Sequence, residues 1–358
     1  AVRTDNPRDN GALLLSAEMA LQKNMPGDAI AALRTVIKDQ PNSTAALKLL
    51  AQAHLMNGEP QLARDQLQQA VTLAPRDRLG RLQLAQVVAR MGEHEAAEKH
   101  LQELLGSDPR DAEALEILFK VNLARGDFMA AQATAQRVRE AYPDRALGYF
   151  LAGEAQRARR DLAAAATEYE AALARSAPDA AMPLTALVAV QLERGKPEAA
   201  LERVEQALRA SPESALAHHL RGEVLLFGFK RNQEAIAQFE RTLELQPGYT
   251  SAWRNLALAH IAAGDREAAI AAYRRGIDAT GGSMTLSAQL AALYEGFGRV
   301  DDAIALYEDL HRREPASTSI ANNLAMLLAT HRDDGASLEA AARLAAMLAD
   351  SDTPGYLD

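Results

Sequence analysis

The chain contains no cysteine. Disulfides, thiolate nucleophiles and cysteine-based zinc sites are thereby excluded, while cytoplasm and periplasm both stay open, since either tolerates a Cys-free chain. Aromatic residues are scarce too, at 4% against 48% hydrophobic overall. Ala and Leu supply most of the apolar mass, which favours tightly packed helices over sheets of β-branched and aromatic side chains. A basic surplus is also missing. The net charge of -9 opposes general polyanion binding, so no nucleic-acid partner is expected. No apolar run approaches the roughly 20 residues of a membrane span. The opening "AVRTDNPRDN" has neither an initiator Met nor a signal peptide and reads as a processed or trimmed start, so export cannot be judged from it.

What the chain has is a period. Prolines fall at Pro41, Pro75, Pro109, Pro143, Pro178, Pro212, Pro247 and Pro315, at steps of 34, 34, 34, 35, 34, 35 and finally 68, with Gly281 at the midpoint of the last. Each ends a helix, because proline lacks an N–H and disfavours helix in the residue before it. Twelve residues before nearly every closer stands an alanine: Ala29, Ala63, Ala97, Ala131, Ala200, Ala235, Ala269 and Ala303. Glycines at Gly58, Gly92, Gly126, Gly195, Gly264 and Gly298 mark a left-handed turn between two helices of each unit. The unit is helix, Gly turn, helix, Pro turn.

Within units a small residue of the first helix (Ala17, Ala51, Ala85, Gly153, Gly222, Ala257, Ala291) is matched by a large one of the second (Leu33, Leu67, Leu101, Tyr169, Val204, Phe239, Tyr273, Tyr307). Small against large lets neighbouring helices interlock. A 34-residue period with this texture marks a helical repeat array.

These units resemble tetratricopeptide repeats (TPR). In "SAWRNLALAHIAAGDREAAIAAYRRGI", Trp253, Leu256, Ala257, Gly264, Ala269 and Tyr273 stand in the family's signature places. The resemblance implies an all-α, right-handed superhelical solenoid of about ten hairpins. Residues 1–9 are then an N-terminal flank, 10–351 the array, and 352–358 the start of a truncated eleventh unit. An array normally finishes with a polar capping helix, so the natural protein is expected to continue. Four local departures stand out. Ala135 replaces the large residue of the fourth unit, Gly281 replaces proline in the eighth, one extra residue lies around "GFKRN", and about four extra lie in "THRDDGAS". Pentatricopeptide repeats share a similar period and bind RNA, but the Gly/Ala/Pro spacing and the acidic charge oppose that reading.

No catalytic, cofactor-binding or metal motif emerges. His218 and His219 point about 100° apart on a helix and cannot share a metal. "HEAAEKH" lacks the i, i+4 histidines of a helical zinc site. "RARRD" (Arg157–Asp161) reads as cations at a helix C-terminus. There is no P-loop and no GxGxxG, so an enzyme is not expected.

A binding role remains. By the family resemblance, first helices line a concave groove. A carboxylate clamp is not supplied, because Lys48 is followed by Gln83 and Ile117 where polar partners are required, and an asparagine ladder has only Asn255 and Asn323. Between 147 and 226 the groove-facing positions turn apolar, with Leu147, Phe150, Met182, Leu192, Leu216 and Leu226 interspersed with Glu154, His219 and Glu223. An apolar stripe at helical spacing is usually core, yet the repeat's own core places are already filled by Ala152, Gly153, Leu187, Ala200 and Val204. The nine residues are therefore the expected site for a peptide or protein partner, with Phe150 and Met182 as anchors.

"KDQPNSTAALKLLAQAHL", "ALGYFLAGEAQ" and "NNLAMLLATHRDD" are similar to long bacterial TPR proteins of envelope and exopolysaccharide systems, including lipoproteins that accompany exosortase-type sorting. That implies a periplasmic or envelope-associated scaffold. A cytoplasmic adaptor or co-chaperone, and a regulatory array joined to an enzyme such as a glycosyltransferase, are the alternatives. The sequence leaves the oligomeric state open.

Overall fold

The computed structural model describes residues 9–349, and every regular element among them is helical. They form two compact units, one ending at Ser176 and one beginning at Ala177. The first unit pairs α1 (Asn10–Gln22) with α2 (Pro26–Asp39), α3 (Thr44–Met56) with α4 (Pro60–Leu73), and α5 (Arg78–Arg90) with α6 (His94–Ser107). It ends with α7 (Ala112–Ala124) on α8 (Phe128–Ala141) and α9 (Ala146–Ala158) on α10 (Leu162–Leu173). The second unit continues the plan. It pairs α11 (Ala181–Glu193) with α12 (Pro197–Ala210), α13 (Ala215–Glu223) with α14 (Asn232–Leu245), and α15 (Thr250–Ala262) with α16 (Arg266–Ala279). Then come α17 (Met284–Gly296) with α18 (Val300–Arg313) and α19 (Thr318–His331) with α20 (Gly335–Ala349). The fold is an all-α solenoid of stacked hairpins, as the period requires. The expected eleventh unit at 352–358 lies outside the described residues.

Local chemistry sets the helix limits. Pro26, Pro60 and Pro197 occupy the first turn of α2, α4 and α12, where a missing N–H leaves no bond unmade. Asp9, Ser43, Asp111 and Ser214 cap α1, α3, α7 and α13 by accepting a main-chain N–H three residues on. Where the turn glycine is absent, Asn24, Arg160 and Lys230 take its left-handed conformation, at φ 57°, 65° and 58°. That costs on the order of 1 kcal/mol per residue, so the flanking helices dictate these turns. Arg160 of "RARRD" is thus a turn residue.

The small-against-large rule governs the core. Gly153 lies under the Tyr169 ring and Gly222 under the Phe239 ring, so closely that a Cβ would meet ring carbons at 2.4 and 2.5 Å. The fourth unit, expected to lack its large residue at Ala135, inverts the pair instead. Phe119 supplies the bulk from the first helix, 2% exposed, and Ala135 is fully buried on the second.

The extra residue near "GFKRN" lies within a helix. Val224–Gly228 is a π-helical turn continuing α13, with the Phe229 N–H donating to the Val224 carbonyl at 3.2 Å. A π turn holds one residue more than the α-helix it interrupts.

Ion pairs about one repeat apart stitch hairpin to hairpin: Arg64 to Glu93, Arg139 to Glu168, Arg299 to Glu267 and Arg332 to Asp301. The most buried carboxylate so held is Asp111. Arg78 grips it with both fork nitrogens at 2.6 and 2.7 Å, and the Ala114 N–H reaches it at 3.1 Å. Arg78 chiefly, with the helix N–H groups, holds the Asp111 carboxyl below the usual carboxylate range, against the opposing effect of burial. Its stabilising contribution is complete above the unfolded value of about 3.9 and is lost as pH falls through the lowered folded value. Asp111→Ala is expected to cost about 2 kcal/mol at neutral pH, from the lost cap and charge-assisted bonds. Urea melts should show the gap between wild type and variant closing below about pH 4; a gap unchanged at pH 3 would contradict this account.

Candidate functional site

The nine expected groove residues fall in both units. In the first, α9 carries Leu147, Phe150 and Glu154, all half-buried. Leu147 and Phe150 rest against the unit's core. Phe150 tilts against Tyr169, with centroids 5.8 Å apart, and the Tyr169 hydroxyl donates to Glu154 Oε1 at 2.5 Å. Gly153 makes this possible, since any larger residue there would displace the tyrosine ring.

In the second unit, α11 carries Met182, which is 62% exposed, and Leu192, which is half-buried. Leu192 is partly covered by Gly228 of the π turn, where a Cβ would meet Leu192 Cδ2 at 3.1 Å and Pro197 Cβ at 2.5 Å. On α13, Leu216 and Glu223 are half-buried.

His219 and Leu226 are placed otherwise than the spacing suggests. His219 is 5% exposed, its ring between Phe239 at 5.6 Å and Tyr249 at 4.8 Å, so it is a packed residue first. Leu226 is 4% exposed and belongs to the core of the second unit. The π turn is the cause. Its extra residue advances the register, so Leu226 rotates inward and Phe227 takes the open place, 45% exposed.

Around Glu223 a polar network forms. Its Oε1 accepts from Asn255 Nδ2 at 2.9 Å and lies 3.3 Å from His219 Nε2. Burial, and after it the Glu223 charge, pushes the Tyr249 phenol upward. Asn255 is itself buried, and Asn323 donates to the Tyr307 hydroxyl. The two ladder-position asparagines are thus engaged inside the protein. Tyr307 is pushed up to about 12, chiefly by burial and then by Glu295.

A further feature lies outside the stretch from 147 to 226. Between α5 and α7 a cleft of about 420 Å³ has a floor of Ala89, Ile117, Val121 and Ala124 and a rim of Gln86, Arg90, His94 and Lys120. Its floor residues are small, and in a sequence they look like helix filler. Leu79, Leu258 and Met326 add large exposed apolar side chains on other first helices. Among the described residues no group of three or more His, Asp or Glu side chains could hold a metal ion, and no helix is long and apolar enough to cross a membrane.

The hairpin plan and its pairing agree with comparisons to known families. A model described as "Tetratricopeptide repeat" matches residues 118–181, 185–249 and 225–283, and one described as "Cytochrome c-type biogenesis protein H TPR domain" matches 17–149. The chain belongs to the tetratricopeptide repeat proteins. TPR arrays serve as protein–protein interaction scaffolds, and the open faces of the first helices are this array's candidate surface. No curated protein matches the chain.

Among solved structures, a TPR protein from Parabacteroides merdae is 17% identical, covering 70% of this chain and 98% of its own, with a TM-score of 0.49. The human IFIT1 dimer with m7Gppp-AAAA is 16% identical, covering 94% and 90%, at 0.42. YrrB, described as a TPR protein with an unusual peptide-binding site, is 20% identical, covering 52% and 95%, at 0.36. Scores this low carry no functional argument.

Proposed function

We propose that this TPR protein is a non-catalytic scaffold that holds an extended or amphipathic segment of a partner protein against its first helices during an assembly step. The observation that carries this is the set of large apolar side chains those helices leave uncovered after every small-against-large core pair is complete. Met182 at 62%, Met326 at 61% and Phe227 at 45% exposure have no internal packing reason to be apolar. Methionine suits such a place because its flexible, polarizable chain adapts to a guest.

The match of residues 17–149 to the TPR domain of a cytochrome c-type biogenesis protein supports an assembly role. The resemblance to envelope and exopolysaccharide TPR proteins supports a periplasmic or envelope-associated site of action. Fractionation of cells that make the full-length gene product tests this placement, and recovery from the cytoplasm alone would refute it.

Met182→Ala is the cleaner test of the surface, since its side chain is mostly in solvent. It should lower affinity for the partner segment by on the order of 2 kcal/mol and leave the thermal midpoint nearly unchanged. Phe150→Ala should weaken binding as well, with some loss of stability because its ring also packs on Tyr169. Unchanged affinity in both variants, measured by fluorescence anisotropy, would remove these anchors.

A further inference from the structure

A five-residue pattern occurs twice: Phe150-Leu151-Ala152-Gly153-Glu154 on α9 and His219-Leu220-Arg221-Gly222-Glu223 on α13. Each copy builds the same local arrangement within its own unit. The glycine admits a ring from the second helix, Tyr169 or Phe239. The aromatic residue at the head of the pattern tilts against that ring at 5.8 or 5.6 Å. The glutamate, half-buried, has Oε1 held by the protein: by the Tyr169 hydroxyl in one copy, by Asn255 with His219 alongside in the other. In both copies Oε2 has no partner among the described residues, and no lysine or arginine neutralises the carboxylate. Several other acidic side chains of the array are ion-paired to basic ones, Asp77, Asp111, Glu168 and Asp301 among them.

The internal hydrogen bonds occupy one oxygen of each glutamate and leave the other unused. In the repeat with Tyr273 the same position is Leu258, so a second-helix tyrosine does not require a carboxylate there. Conversely, Phe239 has no hydroxyl, yet its repeat keeps Glu223. Each carboxylate thus has one oxygen fixed by the protein and a second left open to a donor from outside.

We propose that each copy, within its own unit, is a subsite for one cationic side chain, lysine or arginine, of a bound segment. The free Oε2 receives the N–H, and in the first copy the half-buried Phe150 ring lies beside it. The partner segment is therefore basic as well as apolar. The net charge of -9 would draw such a segment in. This rests on the first-helix surface being the binding surface.

The test uses three fluorescein-labelled synthetic peptides of equal length, alternating leucine with lysine, with serine or with glutamate, titrated by anisotropy against the whole chain at several NaCl concentrations. The lysine peptide should bind most tightly. Glu154→Gln and Glu223→Gln, which keep shape and one acceptor, should each weaken it about five-fold without shifting the melting temperature. Glu198→Gln, an exposed glutamate on α12, should leave affinity unchanged and so separates site from overall charge. Three results would overturn the proposal: equal loss in all three variants, no loss in any, or glutamate-peptide binding as tight as lysine. If the glutamine variants bind normally while Met182→Ala still weakens every peptide, the surface stands and the cationic subsites fall. If no peptide binds at all, both fall.

Discussion

Phe119→Ala is expected to cost about 3–5 kcal/mol, the largest effect of any single truncation considered. The ring is 2% exposed, and the residue at the matching place across the hairpin is already a buried alanine, Ala135, too small to fill the space. The double variant Phe119→Ala/Ala135→Leu recreates the Ala85 and Leu101 pair of the preceding repeat and should recover at least half of the loss. Because an array unfolds in nearest-neighbour steps, amide exchange in α7 and α8 reads the effect more directly than a global melt. A single variant that loses less than about 1 kcal/mol, or a double variant no better than the single, would show that the two positions do not share one volume.

Gly222→Ala should destabilise, against the usual rule that replacing a helical glycine by alanine gains up to about 1 kcal/mol. The new methyl would lie 2.5 Å from a ring carbon of Phe239, which is fully buried and cannot swing away. Overpacking of this kind costs about 1–3 kcal/mol. Adding Phe239→Leu makes an Ala/Leu pair like those of the first three repeats, and a double-mutant cycle should show coupling above roughly 1 kcal/mol. Gly153→Ala against Tyr169 is the same experiment in the other unit. A rise in melting temperature for Gly222→Ala would refute the close approach.

The architecture was legible in the sequence because its signals are backbone chemistry. Proline at the hairpin ends and glycine between helices act locally, so their spacing survives without knowledge of contacts. Arg160 and Lys230 show the limit of that reading, since there the flanking helices impose the turn on residues that do not favour it. The core pairing was legible where it kept its usual order and opaque at Ala135, because the compensating Phe119 sits on the other helix. The candidate surface was the least legible. One inserted residue, visible in "GFKRN", was enough to turn Leu226 inward and Phe227 outward, and a sequence does not say whether an insertion lengthens a turn or widens a helix. His219 was hidden for a different reason. Its burial depends on Phe239 and Tyr249, which come from two other helices.

The inverted pair at Phe119 and Ala135 bears on how a chain of near-copies avoids closing on the wrong copy. Two similar hairpins emerging together could exchange helices, a characteristic misassembly of repeat proteins. If α7 tried to close on α6, two bulky side chains, Phe119 and Leu101, would compete for one place. If α5 closed on α8, two alanines, Ala85 and Ala135, would face each other across a hole. Each swap is expected to be destabilised, one by collision and the other by vacancy, while the correct closure fills the space. The fourth hairpin is therefore expected to disfavour exchange of second helices with the hairpin before it.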